Sequence, residues 1–241
     1  MKITVLGSGD AIGTPKVGCS CPQCSRAKAT GTMRLRTSFL IENEGHHILI
    51  DSSPDLRQQL LRSGSPRIDA VIWTHGHYDH FIGFGEFYRI QDIPPVYAAP
   101  QVLNYCAETF RFLSFEKNPV QPYEPFGLFG LTITLLPVRH PPAYTCGLVV
   151  ETKNGSRAGF TSDTNINIPG ESLDHLTGLD LLFPDALVPS QFSVHKHMNY
   201  FDACTLASRL GPKDFRCVHM SHQIPWDLPH TANDGETFLL P

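Results

Sequence analysis

The chain of 241 residues is 41% hydrophobic and 17% charged, with a formal charge of −4 at neutral pH. That balance suits a folded protein with a large core, and it excludes both intrinsic disorder and a membrane-spanning apolar run. Lysine and arginine are scattered along the chain, so a nucleic-acid or anionic-membrane surface has no compositional support.

In chain order, short β-branched runs alternate with helical stretches. KITVLGSG reads as a strand ending in a glycine turn, and its apolar run breaks at Gly7, too early for the core of an export leader. TSFLIEN and HHILIDSS form a strand pair about Gly45. SPDLRQQLLRSG carries helix signals at both ends: Ser53 as N-cap, Pro54 as first helical residue and Gly64 as stop. IDAVIWTH is a buried strand ending at His75. HFIGFGEFYRIQ and PQVLNYCAETFRFL are helical, with the strand PVYAA between them, and the Pro-rich stretch from Asn118 to Pro125 is a loop. In the second half LTITLLPV, TCGLVVETKN, SRAGFTSDT and LDLLFPDAL are strands. NYFDACTLASRLGP is a helix closed by Gly211 and Pro212, and FRCVHMSH is a final long strand. No linker or repeat interrupts the order, so one layered α/β domain over residues 1–241 is expected, built from two halves of similar make-up.

The densest chemistry lies in THGHYDH, where a strand ends. In extended backbone His75 and His77 point to one side, and Asp79 and His80 follow after the chain turns. Nitrogen and carboxylate ligands in two close pairs fit two divalent ions such as zinc, manganese or iron. Further ligands are expected at other strand ends: His140 after LLPVR, Asp163 in TSDT and His219 in RCVHMSH. Asp163 is the natural bridge, because one carboxylate can offer an oxygen to each ion. Asp51, in LIDSS, is expected to orient a metal-binding histidine by accepting its other ring proton.

Seven cysteines without an export leader point to reduced thiols or metal ligands and to a cytoplasmic protein. Cys19, Cys21 and Cys24 are spaced to share one tetrahedral zinc, a knuckle over residues 18–25, and His222 in HMSH is the fitting fourth ligand. Cys106, Cys146, Cys204 and Cys217 stand alone in apolar elements and read as core residues.

The motif His75, His77, Asp79, His80, with Asp51, His140, Asp163 and His219, resembles the metallo-β-lactamase superfamily. The resemblance implies its αββα four-layer sandwich. Flavin-linked diiron members place a Glu at the position of His77, and true lactamases a Cys at that of Asp163, so both activities are disfavoured. The pairing of C-x-C-x2-C with H-x-x-H is similar to the phosphonate-pathway cyclic phosphodiesterases of this superfamily. Their likeness implies a structural zinc on Cys19, Cys21, Cys24 and His222, and an active-site histidine at His197, with His195 competing for that role. ANDGETF resembles their terminal strand, whereas the Pro-rich IPWDLPHT departs from them.

The expected function is metal-dependent hydrolysis of a small or cyclic phosphate ester. Two ions share a bridging water and draw its pKa toward neutrality, and His197 protonates the leaving oxygen. Asp79, also a metal ligand, and His197 are the expected catalytic residues. The partner is a small-molecule phosphate ester rather than nucleic acid or membrane, and a homodimer is compatible with the chain. Two alternatives use the same fold. RNA 3′-end processing calls for a basic face and a substrate-gripping arm, neither of which is visible. A non-catalytic accessory protein of cofactor biosynthesis is expected to have an incomplete ligand set.

Overall fold

The computed structural model describes residues 1–241. Its first half runs β1 (Lys2–Gly7), α1 (Pro22–Thr30), β2 (Ser38–Asn43), β3 (His46–Ile50), α2 (Leu56–Arg62) and β4 (Ala70–Ile72). It continues with α3 (Tyr78–Phe81), a 3-10 segment (Ile82–Glu86), α4 (Phe87–Ile90), β5 (Val96–Ala98), α5 (Pro100–Thr109) and β6 (Lys117–Pro119). The second half runs β7 (Phe126–Leu128), β8 (Leu131–Val138), β9 (Thr145–Thr152), β10 (Arg157–Ser162) and α6 (Gly170–His175), then β11 (Leu181–Pro184), α7 (Tyr200–Leu210), β12 (Asp214–Phe215) and β13 (Thr237–Leu239).

One sheet has the order β13-β1-β2-β3-β4-β5-β6 and the other β12-β11-β10-β9-β8-β7. Both are mixed: β3 to β6 are mutually parallel, as are β10 to β12, and the remaining pairs are antiparallel. Strands buried on both faces carry near-continuous apolar runs, which is why FLI in β2 and ILI in β3 show little alternation. The sheets meet face to face. Phe39 of the first lies 4.8 Å from Phe160 and 4.9 Å from Phe183 of the second. A cluster of 40 buried residues joins both sheets to Leu56 and Leu60 of α2 and Val102 and Leu103 of α5. A cluster of 12 seats Leu173 of α6 and Leu206 and Leu210 of α7 on the outer face of the second sheet. Burying each such side chain contributes about 1.5–3 kcal/mol, and the result is the expected αββα sandwich.

Several local expectations are corrected by packing. The helix after β3 begins at Leu56, because Ser53 and Pro54 form a turn in which the Ser53 hydroxyl accepts from the Asp55 amide. HFIGFGEFYRIQ is not one helix. Gly83 sits so close to the Ser53 carbonyl that a Cβ there would lie 1.9 Å from it, and the chain tightens into 3-10 turns to fit. The Asn118–Pro125 stretch is a loop only in part, since Lys117–Pro119 pairs with β5 at the sheet edge, where Pro119 needs no donor. FRCVHMSH is not a long strand: only Asp214–Phe215 pairs regularly, and then Val218 and Met220 bridge singly to Asp185 and Gly9. Helices α1 and α6 are short and bury only two residues each, so neither shows an apolar stripe in the sequence. Helix α7 has the expected Gly211 cap at φ 62° and opens with a capping box between Asn199 and Asp202. Cys106, Cys146 and Cys217 are buried as expected, but Cys204 is only half-buried.

Candidate metal centre

Asp51, His75, His140, Asp163 and Asp185 leave the C-terminal ends of β3, β4, β8, β10 and β11, which all open on one edge of the sandwich. Three non-glycine residues there take a positive φ: Asp51 at 57°, Ser162 at 53° and His219 at 57°. Backbone held in this sparsely populated region turns the chain sharply at each strand end, and such strain gathers at functional sites.

The turns bring the expected histidines and aspartates together as two adjacent groups. His75, His77, His140 and Asp163 form one, and Asp79, His80 and His219 form the other. His140 Nε2 stands 2.9 Å from His77 Nδ1. Asp163 Oδ2 lies 3.6 Å from His75 Nε2, 3.7 Å from His140 Nε2 and 3.4 Å from His219 Nε2, while its Oδ1 lies 3.4 Å from His80 Nε2. Asp79 Oδ2 is 3.2 Å from His80 Nε2 and 3.4 Å from His219 Nε2. Two donors bound at about 2.0–2.1 Å to one tetrahedral ion lie roughly 3.3 Å apart, so these spacings match donors that surround a cation.

The far side of each ring is anchored. Asp51 accepts from the Thr74 amide and hydroxyl at 2.8 and 2.7 Å and faces His80 Nδ1 at 2.7 Å. Thr74 Oγ1 in turn meets His75 Nδ1 at 3.0 Å, and the Lys196 carbonyl meets His140 Nδ1 at 3.1 Å. With Nδ1 occupied, Nε2 of these rings is left to face the centre. His197 Nδ1 lies 2.8 Å from Asp185 Oδ2, and its ring stacks 5.0 Å from that of His219. His195 is exposed and joins the site only through its carbonyl, which accepts from Asn165. Asp185 was not read from the sequence. It is fully buried, holds His197, and also accepts from the Thr164 amide. An aspartate directly after an apolar strand, the signal that flagged Asp163, marks it too.

Charge and desolvation test whether cations fit. Burial lowers His75, His77 and His140 below the usual imidazole range. Burial acts the same way on His80 and His219, but Asp163 and the other carboxylates outweigh it and raise both. Burial alone would raise Asp79 and Asp163, yet His80 and His219 hold both well below the usual range. These buried carboxylates stay ionised only beside positive charge, which protonated His80 and His219, or cations in their place, would supply. His75 Nε2, His80 Nε2 and Asp163 Oδ1 are shielded from solvent and have no hydrogen-bond partner. Leaving such atoms unsatisfied costs about 1–3 kcal/mol each, and two divalent ions would satisfy all three.

A second cluster gathers Cys19, Cys21, Cys24 and His222. His222 Nδ1 is 3.6 Å from Cys19 Sγ and 3.4 Å from Cys21 Sγ. The Lys16, Cys21 and Cys24 amides donate to Cys24, Cys19 and Cys21 sulfur respectively; the Cys21 amide lowers the Cys19 thiol, whereas burial pushes the Cys24 thiol up to about 11. Arg34, stacked 4.2 Å over Trp226, ties down the Ser221, Ile224 and Pro225 carbonyls around His222.

An αββα sandwich with histidines and aspartates collected at the strand ends of both sheets defines the metallo-β-lactamase superfamily. The chain belongs to it: residues 46–220 match the family described as the beta-lactamase superfamily domain. The structure resembles a diphosphatase of the PhnP family with a TM-score of 0.89 at 31% identity, over 100% of this chain and 98% of that one. A protein of Porphyromonas gingivalis named octanoyltransferase is 33% identical over 95% of this chain, and the match spans 48% of that longer protein. Coenzyme PQQ synthesis protein B of Methylobacterium radiotolerans is 31% identical over 74% of this chain and 65% of its own. No helix is long and apolar enough to cross a membrane.

Proposed function

We propose that residues 1–241 form one metal-dependent hydrolase domain, with a zinc knuckle at 18–25, that cleaves small or cyclic phosphate diesters. The observation that carries this reading is Asp163, whose two oxygens face both histidine groups while one of them has no hydrogen-bond partner. Two divalent ions, zinc or manganese, held by His75, His77 and His140 and by Asp79, His80 and His219 with Asp163 shared, would supply Lewis acidity and activate water at neutral pH. The chain's own residues do the rest. Asp51 and Thr74 fix His80 and His75 in the tautomer that presents Nε2. His197 donates from Nδ1 to Asp185, which turns Nε2 toward the position of the leaving oxygen, where a ring proton would be passed to it. Support comes also from the likeness to the PhnP-family diphosphatase, which extends over the whole chain.

The likeness to coenzyme PQQ synthesis protein B favours a second reading, an accessory role in cofactor biosynthesis. One assay separates the two. Manganese-loaded protein is expected to hydrolyse bis(p-nitrophenyl) phosphate and to leave a lactone and a thioester intact; no turnover of any of them sinks the hydrolase reading.

The knuckle is proposed to hold one structural zinc that pins the segment carrying His219 and His222 to the first loop. Cys21→Ser is expected to release that zinc and lower Tm by roughly 5–10 °C, since about 2–3 kcal/mol shifts a domain of this size by that much. Elemental analysis with a thermal melt checks it, and an unchanged Tm with full zinc would refute the staple.

A further inference from the structure

Beside the metal centre lies a cavity of about 330 Å³ that the proposed chemistry leaves unused. Its walls are Val102 and Tyr105 from one face of α5, Pro142 and Tyr144 from the β8–β9 connection, and Gly76 and His77 from the metal-binding loop. His77 belongs to both, so the cavity adjoins the centre. The Tyr105 ring lies on bare backbone: a Cβ on Gly76 would come within 2.3 Å of Tyr105 Cδ1. Residue 76 must lack a side chain for the ring to stand there. None of the lining residues is Asp, Glu, Lys or Arg. A pocket with two tyrosine rings, apolar walls and no fixed charge repels a second phosphate or a carboxylate by desolvation and receives a flat apolar group. Its volume is at the lower end of small-molecule sites, enough for one ring system.

We infer that this pocket selects phosphate esters whose organic substituent is an uncharged planar ring, seated against Tyr105 and Tyr144. The inference rests on the phosphate-ester reading of the neighbouring centre and adds the class of substituent. A sugar substituent, whose hydroxyls would lose their water against these apolar walls, gains nothing in the pocket.

Calorimetric titration of metal-replete protein with phenyl phosphate, methyl phosphate and ribose 5-phosphate tests it. Phenyl phosphate is expected to bind about tenfold more tightly than methyl phosphate, the gain of a well-stacked aromatic pair plus its buried area. Ribose 5-phosphate is expected to gain nothing over methyl phosphate. Tyr105 is largely exposed, so Tyr105→Ala should fold normally and erase the preference, whereas Tyr105→Phe should keep it. Equal affinity for the phenyl and methyl esters, a gain for ribose 5-phosphate, or a preference that survives Tyr105→Ala overturns the inference. Ring-selective binding without turnover of any diester retires the hydrolase reading and leaves the pocket; turnover without ring preference does the opposite.

Discussion

Asp163→Asn is expected to abolish hydrolysis of bis(p-nitrophenyl) phosphate, a fall of about 10³-fold or more, together with loss of at least one bound ion per chain. The several kcal/mol of charge stabilisation that a paired-ion site provides corresponds to a factor of that size. Asparagine preserves the volume and one acceptor oxygen, so the fold is expected to survive. What it removes is the anion that spans both histidine groups: Oδ2 within 3.4–3.7 Å of His75, His140 and His219, and Oδ1 3.4 Å from His80. A neutral amide also presents an N–H to imidazole nitrogens that are themselves waiting for a cation. Elemental analysis beside the rate decides the matter. Retention of the full metal complement and of the wild-type rate would show that Asp163 bridges nothing.

The second large effect is expected at a residue that stands behind the ligand shell, in contact with His219. Asp185→Asn keeps the shape of the pocket but not the carboxylate that accepts the His197 Nδ1 proton. An amide there can donate to Nδ1, which leaves the proton on Nε2 of a neutral imidazole, a far weaker acid than an imidazolium. General-acid catalysis contributes about 10²–10⁴-fold, and a neutral imidazole forfeits most of it. The loss should depend on the leaving group: small for p-nitrophenolate, which departs without protonation, and about 10²-fold or more for an alkoxide. His197→Ala should show the same dependence. Because Asp185 Oδ1 also lies 3.5 Å from His219 Nδ1, metal content is measured in parallel. Equal losses for aryl and alkyl leaving groups, or loss of metal in step with rate, would reduce Asp185 to a support for His219.

Much of the site was legible because its donors obey a local rule. Asp51, His140 and Asp163 each follow an apolar β-strand within two residues, and THGHYDH puts its donors at spacings that only a turning backbone can gather. The same rule applied to LDLLFPD would have found Asp185, whose partner His197 was read without it. The Tyr105 pocket gave no such signal, since in PQVLNYC a tyrosine three residues from a valine reads as an ordinary helix face. Gly76 explains itself only beside the ring that covers it. Misread elements share a cause as well: the 3-10 segment and the broken final strand have apolar patterns that fit a regular element, but close contacts with Ser53 and with Gly9 decide their course.

Periodicity and caps are properties of neighbouring residues, so the amino-acid order determined by itself the alternation of strands and helices, the two-sheet layering and which histidines and aspartates are candidate donors. Tertiary structure alone decided which donors share a group, that His197 rather than His195 faces the centre, that Asp185 stands behind it, and that an uncharged aromatic pocket adjoins His77. Those facts depend on contacts between residues far apart in the chain, fixed only when both sheets close over a common core.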